Sequence, residues 1–163
     1  MDLQKYTKYI QNTTLIYSII LSVLIVIFFM NIDAFEHALE ETTGNKIALG
    51  EMVFLLPVIP IIYGWVTKEK VGGIVVGVVP ITSLMIYGHL SGISTHPQTY
   101  SLSYILKVIA YIGALDVLGG GAGFLASERK TGYLLVAIGL SIVWVLVIFS
   151  GMCTRAFSGP GCL

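Results

Sequence analysis

Two ionisable side chains, Lys107 and Asp116, lie inside one long apolar stretch of this sequence. A charged group inside a membrane span is costly, so each of them is a functional-site hypothesis in its own right. They are nine positions apart, which in a helix turning about 100° per residue places them on opposite faces and about 13 Å apart along the axis. They cannot pair with each other, and each needs its own explanation.

Lys107 lies near the outer end of its predicted helix, at a depth that matches Glu51 in a neighbouring helix. An ion pair between the two helices is one interpretation, because burying a pair costs far less than burying either charge alone. The alternative is that the ammonium of Lys107 reaches the outer headgroups along its four-carbon stem. A role in binding a ligand or an ion is the third interpretation.

Asp116 lies near the middle of the same helix. The hydroxyl residues at matching depth on the neighbouring helices are Thr82, Ser83 and Ser141. One interpretation is a protonated carboxyl that is hydrogen-bonded to such a group inside the bundle. The other is a relay for protons or cations, which would need a chain of polar groups reaching both surfaces.

Glycines surround Asp116 on this segment, and they are Gly113, Gly119, Gly120 and Gly123. Because Gly113, Gly120 and Gly123 share its helical face, we expect Asp116 to point into a helix interface. Gly119 and Gly123 form a GxxxG pair, which lets two helix backbones approach closely. A phosphate loop is a poor match, since no Lys-Ser/Thr follows the run and it lies within an apolar helix.

Histidine and cysteine supply the remaining candidate chemistry. His37 and Glu41 follow the first apolar segment, and with His89 they are weak candidates for a metal site if their outer loops converge. We predict no cofactor, since no histidine lies in mid-membrane to ligate a haem. Cys153 and Cys162 flank a Gly-Pro-Gly turn in a tail that we place outside, where a disulfide would form.

Membrane helices are needed to position these residues. The chain is 56% hydrophobic and 11% charged, with a mean hydropathy of +0.89, and a soluble domain carries about twice that charge. A spanning helix needs about 20 apolar residues. Five segments meet this length: 14–32, 47–66, 71–91, 102–126 and 132–152. Residues 1–163 are therefore predicted to form a single all-α, polytopic membrane helix bundle of five transmembrane helices.

Basic residues concentrate in alternate loops, which predicts the orientation of the bundle. One side holds Lys5, Lys8, Lys68, Lys70, Arg129 and Lys130, and the other holds Lys46 and Arg155. The amino terminus is then cytoplasmic and the carboxyl terminus lies outside. The turns at 67–72 and 127–132 resemble each other, so the first span is predicted to be an anchor and the other four to form two hairpins. Duplication and two unrelated basic turns both explain the likeness.

The composition also limits the function. A net charge of zero and a pI near 6.8 argue against nucleic acid as a partner. No catalytic motif stands out, so we expect a multi-pass protein of the cell membrane that is a non-enzymatic structural or accessory subunit. Its expected partners are the lipid bilayer and either its own copies or other membrane subunits.

Two other function classes remain open. The first is a small ion- or proton-coupled transporter or channel that uses Asp116 together with Glu51 and Lys107. The second is a membrane enzyme acting on lipids or quinones. It would need a convergent cluster at the outer face, for which the candidates are His37, Glu40, His89 and His96.

Overall fold

The structure is a computed structural model that describes residues 3–43, 49–95 and 102–153, with side chains for 13–42, 52–90 and 102–150. Within these ranges the chain is helical and contains no strand. The helices are α1 (Leu3–Met30), α2 (Ile32–Thr43), a 3₁₀ helix (Leu49–Leu55), α3 (Val58–Thr67), α4 (Lys70–Thr95), α5 (Leu102–Ser127) and α6 (Thr131–Cys153).

Four helices contain segments that are long and apolar enough to cross a membrane: Thr13–Met30, Lys70–Leu90, Leu102–Ser127 and Thr131–Ser150. The prediction of an all-α bundle is confirmed for the described residues, and four of its helices have the length and composition that a membrane span needs. The predicted second span, at 47–66, corresponds to a shorter apolar helical segment, Met52–Thr67. The count of five spans therefore stays a prediction.

The predicted second span is not one continuous α-helix. The 3₁₀ helix ends at Leu55, and α3 begins only after Pro57. Proline has no N–H to donate, and it disfavours the α conformation in the residue before it. The amides on either side of the break bond at the tighter i−3 spacing instead, from Leu56 to the Val53 carbonyl and from Ile59 to the Leu56 carbonyl.

Helix α5 lies at the centre of the bundle, packed against α3, α4 and α6, while α1 packs against α4. The largest core cluster draws one or two residues from most of these elements: Ile25, Leu56, Ile81, Leu115, Trp144 and Ile148. Trp144 is 1% exposed and Leu115 is fully buried. The outer surface, in contrast, exposes many Ile, Leu and Val side chains, as a lipid-facing surface does.

One face of α1 is unexpectedly polar. Ser18 and Ser22 are fully buried, and their hydroxyls donate within the helix, to the Leu15 carbonyl at 2.7 Å and the Ser18 carbonyl at 2.8 Å. A hydrogen bond across helices comes from the Tyr63 hydroxyl, which donates to the Thr14 carbonyl at 2.7 Å. The predicted anchor is thus docked on the bundle through small residues.

Glycines set the separation of α4 and α5. A Cβ at Gly119 would lie 2.6 Å from the carbonyl oxygen of Gly77, and one at Gly73 would lie 2.7 Å from that of Gly123. Gly64 on α3 also faces the Gly123 carbonyl, too closely for a Cβ. The backbones of the three helices touch directly, which only residues without side chains allow.

Candidate functional site

Asp116 is bound from the neighbouring helix. Thr82 Oγ1 on α4 lies 2.8 Å from Oδ1 and 2.8 Å from Oδ2 of Asp116. The carboxyl is half-buried, and the glycine contact described above brings α4 close enough for the short threonine side chain to reach it. This α4–α5 seam therefore positions the only acidic residue of the Leu102–Ser127 span.

Asp116 does not lie in a closed interior. It lines a groove of about 390 Å³ along the outside of the α4–α5 seam, together with Ile74, Val78, Val117, Gly120, Gly121, Phe124 and Leu125. The other lining residues are apolar, and Val117 beside Asp116 is 74% exposed. We name this surface the seam groove. Its accessible lining is apolar, so the groove presents an apolar surface on the side of the bundle.

The other predicted neighbours of Asp116 are arranged differently. The Ser141 hydroxyl is buried and donates to the Pro57 carbonyl at 3.1 Å, so it supports the break before α3 and not the carboxyl. Ser83 is half-buried on α4. A Cβ at Gly113 would meet nothing within 4 Å. Gly113 is therefore not a packing glycine within the described bundle, whereas Gly119, Gly120 and Gly123 are.

Lys107 is exposed on α5. The side chain of Glu51 lies outside the described side chains, so the ion pair between them stays a prediction. Asp116 and Lys107 do not share a site, as their helical spacing requires.

At the end of the bundle that holds the α3–α4 and α5–α6 turns, the structure shows contacts that the sequence did not suggest. Arg129, between α5 and α6, donates from Nε to the Trp65 carbonyl at 2.7 Å and from Nη2 to the Val66 carbonyl at 3.0 Å. These carbonyls belong to the last turn of α3, where helical partners are missing and a cation is favoured. Arg129 therefore caps α3 and ties its turn to the turn after α5.

A second contact joins the same two turns. The Lys70 ammonium forms an ion pair with Glu128 and lies 5.2 Å from the centre of the Phe124 ring. The hydrogen bond from Lys70, and then its positive charge, lower the pKa of the Glu128 carboxyl below its usual range. Two of the six basic residues behind the predicted orientation, Lys70 and Arg129, thus lie in contacts at this end, and a third, Lys130, lies near the Tyr133 ring.

Replacing Arg129 with alanine is expected to lower the free energy of unfolding by about 1 kcal/mol, because two charge-assisted hydrogen bonds to the end of α3 are lost at an exposed site. Thermal unfolding in detergent measures the change. The matched control is Lys130→Ala, the adjacent exposed cation. Equal losses of stability in the two variants would show that positive charge as such, and not the cap on α3, stabilises this end of the bundle.

The weak metal candidates do not assemble. Among the described residues no three His, Cys, Asp or Glu side chains come together in a group that could hold a metal ion, so His37, Glu41 and His89 form no such site. The ring of His89 instead contacts the Met85 carbonyl at 2.8 Å and lies 6.2 Å from the ring of Tyr104. His96 and Cys162, and the side chain of Cys153, lie outside the described part, and the disulfide stays a prediction.

The described geometry defines the class of protein: an all-helical bundle with four helices suited to crossing a membrane and a carboxyl on its lateral seam. Comparison of this chain with protein-family models, with curated proteins and with solved structures finds no match. The function therefore has to be argued from the residues themselves.

Proposed function

We propose that this chain is a non-enzymatic structural or accessory subunit of a membrane assembly, with five spans and a cytoplasmic amino terminus. The observation that supports the proposal is the seam groove. Its accessible lining is apolar and includes Gly120 and Gly121, which lack side chains, so a neighbouring protein surface can pack closely against it. A bundle that associates laterally would supply such a surface.

The remaining polar groups support the same proposal. Arg129, Lys70 and Glu128 connect turns within the bundle. Every buried polar side-chain atom in the described part has a hydrogen-bond partner. The small internal cavity beside Leu56, Pro57 and Trp144 offers about 10 Å³, which is at the lower limit for one water molecule. These groups stabilise the fold. We therefore expect the bundle to act through its lateral surface.

The test uses the full chain in the membranes of its own host, extracted into lipid nanodiscs and weighed by native mass spectrometry. A defined complex, of its own copies or with other membrane polypeptides, is the expected result. A second measurement follows proton and cation flux in liposomes that contain the purified chain, where we expect no more flux than in empty liposomes. A monomer together with flux that Asp116→Asn abolishes would overturn the proposal.

One observation favours the transporter as a second candidate. The break at Leu56–Pro57 divides the predicted second span into two helical pieces, and discontinuous helices mark the substrate sites of many transporters. Against this, the Pro57 carbonyl accepts a hydrogen bond from Ser141, and the adjoining cavity has no room for a substrate. The flux measurement separates the two candidates.

A further inference from the structure

We infer that the α3–α4 and α5–α6 turns together form a basic surface that binds the headgroups of anionic phospholipids. The inference goes beyond the proposed function, which concerns the lateral surface of the bundle, and it shares with that function only the placement in a bilayer. The apolar spans Lys70–Leu90, Leu102–Ser127 and Thr131–Ser150 each begin or end at one of these turns. The turns therefore lie in the headgroup layer when those helices cross the membrane.

Two contacts described above hold the turns together. Arg129 donates to two carbonyls at the end of α3, and Glu128 pairs with Lys70 at the start of α4. Lys68 lies between these two contacts along the chain. Its turn is thus fixed against the α5–α6 turn on both sides, and the charges of the two turns belong to one surface.

This surface carries more positive than negative charge. Its acidic residues are Glu69 and Glu128. Its basic residues are all exposed, and they are Lys68, Lys70, Arg129 and Lys130. Four cations and two carboxylates leave a net charge of +2. An anion is therefore attracted to the two turns as a unit.

Two of these cations are not neutralised within the described bundle. The charge of Lys70 is balanced by Glu128, whereas Lys68 and Lys130 form no ion pair with any side chain that the structure describes. The Lys130 ammonium lies 5.5 Å from the centre of the Tyr133 ring, a contact that leaves its positive charge in place. An anion at this surface would meet two uncompensated ammonium groups, one from each turn.

A phospholipid phosphate is the anion that fits this surface best. Its oxygens accept hydrogen bonds from ammonium groups, and clusters of Lys and Arg at the ends of membrane helices attract anionic headgroups. Trp65 and Tyr133 lie beside two of the cations, and such rings are enriched at headgroup level. The acyl chains of a lipid keep its phosphate at this depth, which a free phosphate in solution does not match.

The opposite end of the bundle has the reverse charge. Thr14 contacts Tyr63 near the end of α3, and α1 runs on from there to Met30, about 24 Å further along its axis. Helix α2 follows at that end. It contains no lysine or arginine, and its acidic residues are Asp33, Glu36, Glu40 and Glu41. Anionic headgroups are disfavoured beside α2, so the binding should be confined to the end with the turns.

The experiment uses the full chain reconstituted in phosphatidylcholine vesicles. The probe is a trace of spin-labelled phosphatidylglycerol, compared with spin-labelled phosphatidylcholine that has the same acyl chains. Electron paramagnetic resonance measures the fraction of each label that the protein immobilises. We expect the protein to prefer phosphatidylglycerol about fivefold. Replacing both Lys68 and Lys130 with glutamine should remove this preference, whereas Lys107→Gln, at an exposed cation near the other end of α5, should keep it.

A charge change of the opposite sign gives a second test. Glu128→Gln removes the partner of Lys70 and raises the net charge of the turns by one, so the preference for phosphatidylglycerol should increase. Concentrated sodium chloride should weaken it by screening. Thermal unfolding in detergent checks each variant for an intact fold.

Several results would overturn the inference. They are equal immobilisation of the two lipids, a preference that survives the double lysine substitution, and a preference that Lys107→Gln removes. Sodium phosphate that weakens the preference more than sodium chloride of equal ionic strength would show a site for free phosphate and overturn the assignment to lipid.

The two proposals can fail separately. A defined complex from the host membranes, combined with no lipid preference, removes the inference about the turns and leaves the subunit proposal standing. A monomer with Asp116-dependent flux removes the subunit proposal whatever the lipid labels show.

Discussion

Replacing Gly119 with isoleucine is expected to force α4 and α5 apart and to lower the free energy of unfolding by about 3 kcal/mol, the upper part of the range for overpacking a core. The clash is with backbone, since a Cβ at this position would lie 2.6 Å from the Gly77 carbonyl oxygen. The Gly77 backbone cannot relieve the clash by changing rotamer, as a flexible side chain can. The Thr82–Asp116 hydrogen bond across the same seam should break with the contact.

The matched control is Gly113→Ile on the same helix, where a Cβ would meet nothing within 4 Å. It introduces the same side chain and should change the free energy by less than about 0.5 kcal/mol, as for a typical surface substitution. Unfolding of both variants is measured in the same detergent. If Gly113→Ile destabilises as much as Gly119→Ile, the cost reflects isoleucine in α5 and not the contact with α4.

Replacing Thr82 with valine is expected to destabilise the protein by about 2 kcal/mol. Valine keeps the shape of threonine but removes the hydroxyl that lies 2.8 Å from both oxygens of Asp116. The half-buried carboxyl would then lose that bond, and an unsatisfied acceptor costs more than the average hydrogen bond contributes.

A second substitution shows where this cost arises. Adding Asp116→Leu to Thr82→Val removes the stranded carboxyl, so stability should recover most of the loss. Ser150→Ala is the control, because its exposed hydroxyl bonds only within its own helix, to the Val147 carbonyl. A double variant as unstable as Thr82→Val alone would show that the loss does not come from the carboxyl left without its Thr82 partner.

Much of the helical architecture follows from composition and segment length. The apolar runs predicted the long helices α1, α4, α5 and α6, because lipid allows a backbone to satisfy itself only within a helix or a closed barrel. The predicted second span is interrupted before α3 because Pro57 lies within it. That signal was present in the sequence, but prolines are common in membrane helices and only the packing decides whether they bend or break one.

The site was less predictable. Counting residues from the helix ends gave Thr82, Ser83 and Ser141 as possible partners of Asp116 at the same depth. Depth along a helix does not say which side of the helix a residue lies on. Rotation is set by packing, here by the contact of Gly73 and Gly77 with α5, whose spacing in the sequence is itself a small-xxx-small signal. The cap that Arg129 places on α3 has no local signal, because its carbonyl partners are more than 60 residues away.

The serines of α1 bear on how the protein reaches its final form. Because Ser18 and Ser22 donate within their own helix, α1 can enter the bilayer with both hydroxyls already hydrogen-bonded. Docking then adds close packing against α4 and the bond from Tyr63 of α3 to the Thr14 carbonyl. Insertion of α1 and its packing on the other helices are therefore separable steps. The helix can remain in the membrane unpacked until the rest of the chain has been synthesised.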